Sequence, residues 1–313
     1  MFPTVQGNTD VYLISGFPVE QVRAPEMFNL IFRTLAINAV LVPVHVAPEN
    51  ICNFVQAAFL ATNVKGMLLT IPHKSLVMGL LSGCNDCAKV AGAVNGIRRN
   101  ASGKLEGGLF DGLGFVASLD YFDIAYAGKR VLMVGAGGAA AAIAASLAIA
   151  GERAPAEIAL FDPMPGKAAA LASHVLAAAQ SAGHPDTSRV FAAASGDPAG
   201  FDVVINASPL GLKATDPLPF DVSRLDSGAA VLDILMKNQP TPLVQAVRAR
   251  QLVAEPGFEM MIQQAPDYLE FFGLHQAAQT VRQDATFIRE QIYPASMAGE
   301  IHRPAQPLFT LNP

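Results

Sequence analysis

Val131-Leu132-Met133-Val134-Gly135-Ala136-Gly137-Gly138-Ala139-Ala140 is the stretch from which this chain can be read. Four apolar residues run into a glycine turn, and an alanine-rich stretch follows. The pattern is a buried strand, a tight turn and a buried helix. Gly135-x-Gly137-x-x-Ala140 has the G-x-G-x-x-G/A spacing of a dinucleotide loop. In such a loop the first glycine permits the turn and the second lets the backbone approach a pyrophosphate. The small third residue lets helix and strand pack closely, and the helix points its N-terminus at the phosphates. Gly135, Ala136, Gly137, Gly138 and Ala139 are therefore expected to bind the cofactor. Residues 131–150 carry no charge and on length alone would also cross a bilayer. Glycine and alanine are only weakly hydrophobic, however, and a strand, turn and helix explain the segment better, so no membrane partner is expected.

Further strands are predicted at 158–161, 190–193, 203–206 and 230–234, with alanine-rich crossover helices between them. This is the pattern of a doubly wound parallel α/β sheet. Leu160-Phe161-Asp162 ends the second of its strands 22 residues beyond Ala140. A carboxylate there accepts hydrogen bonds from a ribose 2′-hydroxyl and repels a 2′-phosphate. No arginine follows closely, so NAD is favoured over NADP. Asp162 could instead cap the turn before Pro163.

The N-terminal third also alternates, with strands at 11–15, 39–46, 66–70, 93–98 and 105–110. Helices are predicted at 25–36, 48–61 and 112–126, and Pro72 should open another that carries Lys74. Beyond Gly257 the periodicity is helical over 258–273 and 277–293. The tail from 294 to 313 holds four prolines and is expected to be an irregular surface segment.

A chain of 313 residues suggests two domains, and 51% hydrophobic residues suffice for a sizeable core. The net charge of −5, without a basic patch, makes nucleic acid an unexpected partner. No basic stretch followed by an apolar one is read at the N-terminus, so a secretory signal is not expected. The three cysteines, Cys52, Cys84 and Cys87, then suggest a reducing compartment, the cytoplasm. Cys84-Asn85-Asp86-Cys87 has no second Cys/His pair at ligand spacing, so no metal is expected. A small-molecule substrate is the expected partner; a homodimer is compatible with the sequence, which does not set the oligomeric state.

Two further segments carry chemistry. Thr70-Ile71-Pro72-His73-Lys74 ends on a lysine, and Gly107-Gly108-Leu109-Phe110-Asp111-Gly112 contains a carboxylate. Hydride loss from an alcohol carbon needs a base for the hydroxyl proton. A lysine can serve when burial lowers its pKa and a carboxylate raises it. Seen alone, Lys74 would be a solvated residue.

These segments, taken in order, resemble the shikimate/quinate dehydrogenase family over about residues 10–275. Thr70 to Lys74 resembles T-[IV]-P-H-K, and Gly92-Ala93-Val94-Asn95 resembles G-A-V-N. Asp111-Gly112-Leu113-Gly114 resembles the end of N-T-D-G-x-G, and Gly135 to Ala140 resembles G-A-G-G-A-x. Asn206-Ala207-Ser208-Pro209-Leu210-Gly211 resembles N-[AT]-[ST]-P-x-G. Thr241-Pro242-Leu243 and Gly257 to Gln264 resemble the last two blocks.

The resemblance implies an N-terminal α/β substrate domain (1–118 and 259–313) and a Rossmann domain (119–258), with a cleft between them. It implies Lys74 as the catalytic lysine and Asp111 as its partner. Asn95, Thr70 and Gln264 would bind ring hydroxyls, although each could be a structural hydrogen bond instead. Asn206, Ala207, Ser208 and Gly257 would lie beside the cofactor.

The departures concern the substrate's acid group. The family's carboxylate-binding S-x-S-P is here Val22-Arg23-Ala24-Pro25, the Asn and Thr of N-T-D are Leu109 and Phe110, and the tyrosine of D-x-x-Y is Met236. Two lost hydrogen bonds to a charged group are worth about 3–6 kcal/mol, on the order of 10²–10⁴ in affinity. Val22, Ala24, Leu109, Phe110 and Met236 would make one end of the pocket apolar. Arg23 either clamps a carboxylate or, lying between the two lost positions, points away. The resemblance thus implies an NAD-dependent dehydrogenase of the shikimate type with a different substrate, a cyclic polyol acid or analogue. A genuine shikimate 5-dehydrogenase with an unusual anchor and a ligand-binding module without turnover are the alternatives.

Overall fold

The computed structural model describes residues 5–184, 189–213, 215–301 and 308–309. In chain order the elements are β1 (Asp10–Gly16), α1 (Ala24–Thr34), β2 (Ala39–His45), α2 (Ile51–Ala58), β3 (Val64–Leu69), α3 (Asp86–Ala91), β4 (Gly96–Arg99) and β5 (Leu105–Gly108). There follow α4 (Asp111–Tyr121), β6 (Arg130–Val134), α5 (Gly138–Ala148), β7 (Glu157–Phe161), α6 (Lys167–Ser181), β8 (Arg189–Ala192), β9 (Val203–Asn206) and β10 (Ala230–Asp233). The last are α7 (Pro242–Ala249), β11 (Val253–Pro256), α8 (Phe258–Gln263), α9 (Ala265–Phe271), α10 (His275–Gln283) and α11 (Thr286–Ile292).

The chain divides into two compact units, one of Met1–Ala88, Gly92–Phe110 and Gln264–Pro313, the other of Lys89–Ala91 and Asp111–Gln263. The sequence-based division puts residues 111–118 and 259–263 on the other side of these boundaries. They belong to α4 and α8, which pack on each other, while α4 also packs on α5.

In the first unit five strands run in the order β2-β1-β3-β4-β5. β1 lies parallel to β2 and β3, while β4 is antiparallel to β3 and β5. α1 starts with Pro25 in its first turn and buries Met27, Phe28, Leu30, Ile31 and Phe32. Tyr268 of α9 lies edge-on to Phe28, which fixes that helix against the same core.

The second unit is a six-stranded sheet, β11-β10-β9-β6-β7-β8, parallel throughout. Its strands are buried on both faces. Phe115, Leu119, Ile143 and Val175 from α4, α5 and α6 cover one face, and Leu243, Val244 and Val247 from α7 cover the other. Strand order reverses between β6 and β9. Beyond the carboxyl ends of strands at such a reversal, adjacent loops diverge and leave a crevice.

Several boundaries differ from the sequence reading. Pro72 does not open a helix: residues 71–77 form successive turns before a 3-10 turn at Met78–Leu80. The Lys74 carbonyl accepts from Val94 N at 2.9 Å, so it is not free for a helical partner. The segment 48–61 begins as a 3-10 turn, and the two C-terminal helical stretches each split in two. β11 escapes the sequence reading because Val253-Ala254-Glu255-Pro256 is a short edge strand without an apolar run. Part of the tail is packed, not superficial, since Met297 and Ile301 are buried; residues 302–307 and 310–313 lie outside the described residues. Residues 131–150 are β6, its turn and α5, and among the described residues no helix is long and apolar enough to cross a membrane.

Candidate active site

The glycine turn follows β6 directly. Gly135 has φ +110°, a conformation that strains any residue with a side chain. A Cβ there would lie 2.6 Å from the Ala207 carbonyl and 2.8 Å from Ser208 N. The turn after β6 and the loop after β9 therefore meet backbone to backbone across the strand-order reversal. At Gly137 and Gly138 an added Cβ would meet nothing within 4 Å. α5 begins at Gly138 with no side-chain cap, so its first N–H groups are left for a ligand. An open turn, small residues and a bare helix N-terminus of this kind fit a pyrophosphate.

Asp162 closes the turn from the side. Its Oδ2 accepts from Ala136 N and from Lys167 Nζ, both at 2.9 Å, and its Oδ1 accepts from Met164 N at 3.0 Å. The carboxylate thus caps the turn after β7 and also clasps the glycine loop. Burial pushes its pKa up, but Lys167 and the N–H groups of Met164 and Ala136 more than offset this and hold it below the usual carboxylate range. Lys167 is a residue the sequence reading missed. The signal was present: a cation five residues after the acid, opening α6.

Asn206 is fully buried, and its amide bonds only within the protein. The backbone of Ala207 and Ser208 forms the wall beside Gly135. Gly257 has a packing role, because a Cβ there would lie 2.3 Å from the Ile234 carbonyl oxygen. Met236 is half-buried in the loop after β10.

In the first unit Thr70, Lys74, Asn95 and Gln264 come together at the carboxyl ends of β1 and β3. Thr70 N donates to Ser15 O at 2.9 Å, and Leu69 N donates to Asn95 O at 2.8 Å. Asn95, 1% exposed, accepts from Phe110 N at 3.0 Å and donates to Gln264 Oε1 at 3.4 Å. Tyr268 donates its hydroxyl to Asn95 O at 3.0 Å. Asn95 therefore holds the end of β5 as well as Gln264. Asp111 follows Phe110 directly and opens α4.

One sequence expectation needs correction. Leu109 and Phe110 are packed into the core of the first unit. They are 1% and 5% exposed, and the Phe110 ring packs on Tyr268 and Phe271 at 4.7 and 5.3 Å between centroids. Their side chains gain more from the core of the first unit than from solvent. Val22 and Ala24, by contrast, are half-buried before and at the start of α1. Arg23 takes the second of its two expected courses. It donates to Glu26 Oε2 at 2.9 and 3.1 Å and to the Ile292 carbonyl at 2.7 Å, which ties α1 to α11.

His73 also escaped the sequence reading except as a letter of a motif. It is fully buried beside Lys74, and neither ring nitrogen makes a well-formed hydrogen bond. Burial pushes its pKa down, and the backbone of Val46 and Gly16 acts only weakly against that.

A parallel sheet with an open glycine turn at its strand-order reversal, joined to a second α/β unit, defines a dinucleotide-dependent oxidoreductase. Residues 14–97 match the family model of the shikimate dehydrogenase substrate binding domain. The chain is 35% identical over 268 residues to an NADP(+) shikimate dehydrogenase of Rubrobacter xylanophilus, covering 84% of this chain and 90% of that protein. It belongs to the shikimate dehydrogenase family and is an oxidoreductase acting on CH–OH groups. Its fold is similar to 5-ketofructose reductase of Gluconobacter (TM-score 0.76, 25% identity, 89% of this chain and 99% of that one). It is also similar to quinate dehydrogenase of Corynebacterium glutamicum in complex with NAD (TM-score 0.74, 25% identity, 88% and 99%).

Proposed function

We propose that this protein moves a hydride between NAD and a ring carbon, bearing a hydroxyl or ketone, of a small cyclic polyol acid or analogue. Lys74 and Asp111 form the proton-transfer pair. The observation that carries the reading is the gathering of Thr70, Lys74, Asn95 and Gln264 at one end of the first sheet. In the oxidative direction Lys74 takes the hydroxyl proton as the hydride leaves, and in reduction it returns it. Asp111 serves in this proposal as the partner carboxylate of Lys74. Thr70, Asn95 and Gln264 orient the ring hydroxyls. Bound NAD would supply the hydride acceptor, held by the N–H groups of Gly137, Gly138 and Ala139, since Gly135 N donates to Phe161 O and Ala136 N to Asp162.

NAD is the proposed cofactor because the Asp162 carboxylate disfavours a 2′-phosphate. Lys167 tempers that preference by neutralising part of the charge. The relative from Rubrobacter is named for NADP(+), so a preference for NAD would be this chain's own departure.

The acid-binding end is altered: Val22 and Ala24 offer no hydroxyl, and Arg23 is bound to Glu26 and Ile292. Shikimate is accordingly proposed to be a poor substrate. A structural neighbour named as a keto-sugar reductase is consistent with such a change. A second reading, a genuine shikimate 5-dehydrogenase, is favoured by the 35% identity to an enzyme of that name. A panel of cyclic hydroxy acids, assayed with NAD and NADP at alkaline pH, and of keto-sugars, assayed with NADH and NADPH near neutral pH, separates the two. A kcat/KM for shikimate of about 10⁴ M⁻¹s⁻¹ or more establishes the second. No turnover with any member of the panel refutes the first.

A further inference from the structure

At the carboxyl end of the second sheet, Asn206 and Asp233 stand level on neighbouring strands. Both are completely buried. Asn206 Nδ2 donates to Asp233 Oδ1 at 3.0 Å and to Leu210 O at 3.1 Å. Its Oδ1 accepts from Ser208 N at 3.1 Å and Ser208 Oγ at 2.6 Å. The amide has thus used both donors and both acceptor sites. Asp233 Oδ1 also accepts from Leu235 N at 3.2 Å, and its Oδ2 accepts from Thr241 Oγ1 at 2.6 Å. Thr241 in turn accepts from Val244 N and caps α7. One carboxylate therefore joins the loop after β9, the turn after β10 and the start of α7.

Burial pushes the Asp233 carboxyl up in pKa, and its three donors recover only part of that cost. A buried polar group of this kind is weak evidence for stability and better explained by the geometry it imposes. The geometry concerns the crevice. The loop held by Asn206 begins at Ala207, whose N–H bonds to Val134 O at 2.8 Å. It is the same Ala207–Ser208 backbone that leaves no room for a side chain at Gly135. If that loop moved inward it would press on the glycine turn, and if it moved outward the crevice would lose a wall.

We infer that Asp233 is a positioning residue for the dinucleotide, acting through Asn206 and the loop 207–211 on the turn at Gly135. The inference rests on the proposed use of a dinucleotide, but not on the identity of the second substrate. The experiment is NADH titration by fluorescence, with steady-state kinetics and thermal melting, on the full chain and three variants. Asp233→Ala should raise the NADH dissociation constant and the dinucleotide KM about tenfold or more, while kcat and the second substrate's KM move less than about threefold. Asp233→Asn keeps an oxygen for Asn206 and Leu235 N, and should restore binding to within about threefold of the parent. Thr241→Val removes one bond to Asp233 and should give a smaller weakening of the same kind.

A folded Asp233→Ala protein that binds NADH within twofold of the parent overturns the inference, as does a fall in melting temperature without a selective rise in dinucleotide KM. If Asp233→Ala does not fold, Thr241→Val decides: folded and unchanged in NADH affinity, it overturns the inference. A parent protein that binds neither NADH nor NADPH refutes the proposed function itself, an outcome distinct from the others.

Discussion

The Asp162 carboxylate accepts a hydrogen bond from Ala136 N at 2.9 Å, in the middle of the glycine turn, while the same oxygen holds Lys167. The residue proposed to choose the cofactor therefore also holds the loop proposed to bind it.

Cofactor choice should follow this pair. Lys167→Ala removes the cation beside Asp162, and the ratio of kcat/KM for NAD over NADP should rise about tenfold, as expected for one lost charge-assisted bond to a phosphate. Kinetics with both cofactors check it, and an unchanged ratio argues that Lys167 takes no part.

The same carboxylate makes a pH prediction. Its pKa is lowered in the fold, so the native state holds its proton less tightly than the unfolded chain. The resulting stability is present above the unfolded carboxylate value of about 4 and is lost as pH falls through the lower native value. Urea unfolding should show Asp162→Asn less stable than the parent at pH 7, with the gap closing toward pH 3. A gap independent of pH contradicts the assignment.

His73 has the opposite charge type. Its native pKa is lowered by burial, so the unfolded chain takes up a proton first as pH falls below about 6.5. Stability contributed by neutral His73 is complete above that value and declines below it. Between pH 7.5 and 5 the parent should lose more stability than His73→Gln. Parallel curves would exclude His73 as the source.

Lys74→Met should lower kcat by about 10²–10⁴, the usual worth of a positioned proton-transfer group. Its NADH affinity should stay within twofold. A variant that keeps its kcat removes Lys74 from the chemistry.

Arg23→Ala tests a structural role against a substrate clamp. Loss of its bonds to Glu26 and Ile292 should cost about 1 kcal/mol of stability, a modest figure because the side chain is 29% exposed. The KM for acidic substrates should not change. A rise of tenfold or more would restore the clamp.

The sequence alone determined the strands other than β11, the glycine turn and the order of motifs, because these depend on local periodicity and on residues with unusual backbone freedom. Val131 to Ala140 needed no neighbours to be read, and Gly135 was legible as the tight turn that its positive φ requires. Contacts between residues distant in sequence were not legible. The direction of Arg23 depends on α11, 269 residues away in the chain. The burial of Phe110 depends on Tyr268 and Phe271. The turn at Lys74 depends on Val94, which takes the carbonyl a helix would have used. Lys167 and Asp233 likewise acquire meaning from partners that the fold brings to them. Local propensity is written along the chain, whereas the partners of a charged or polar side chain are decided only when distant segments pack and exclude water.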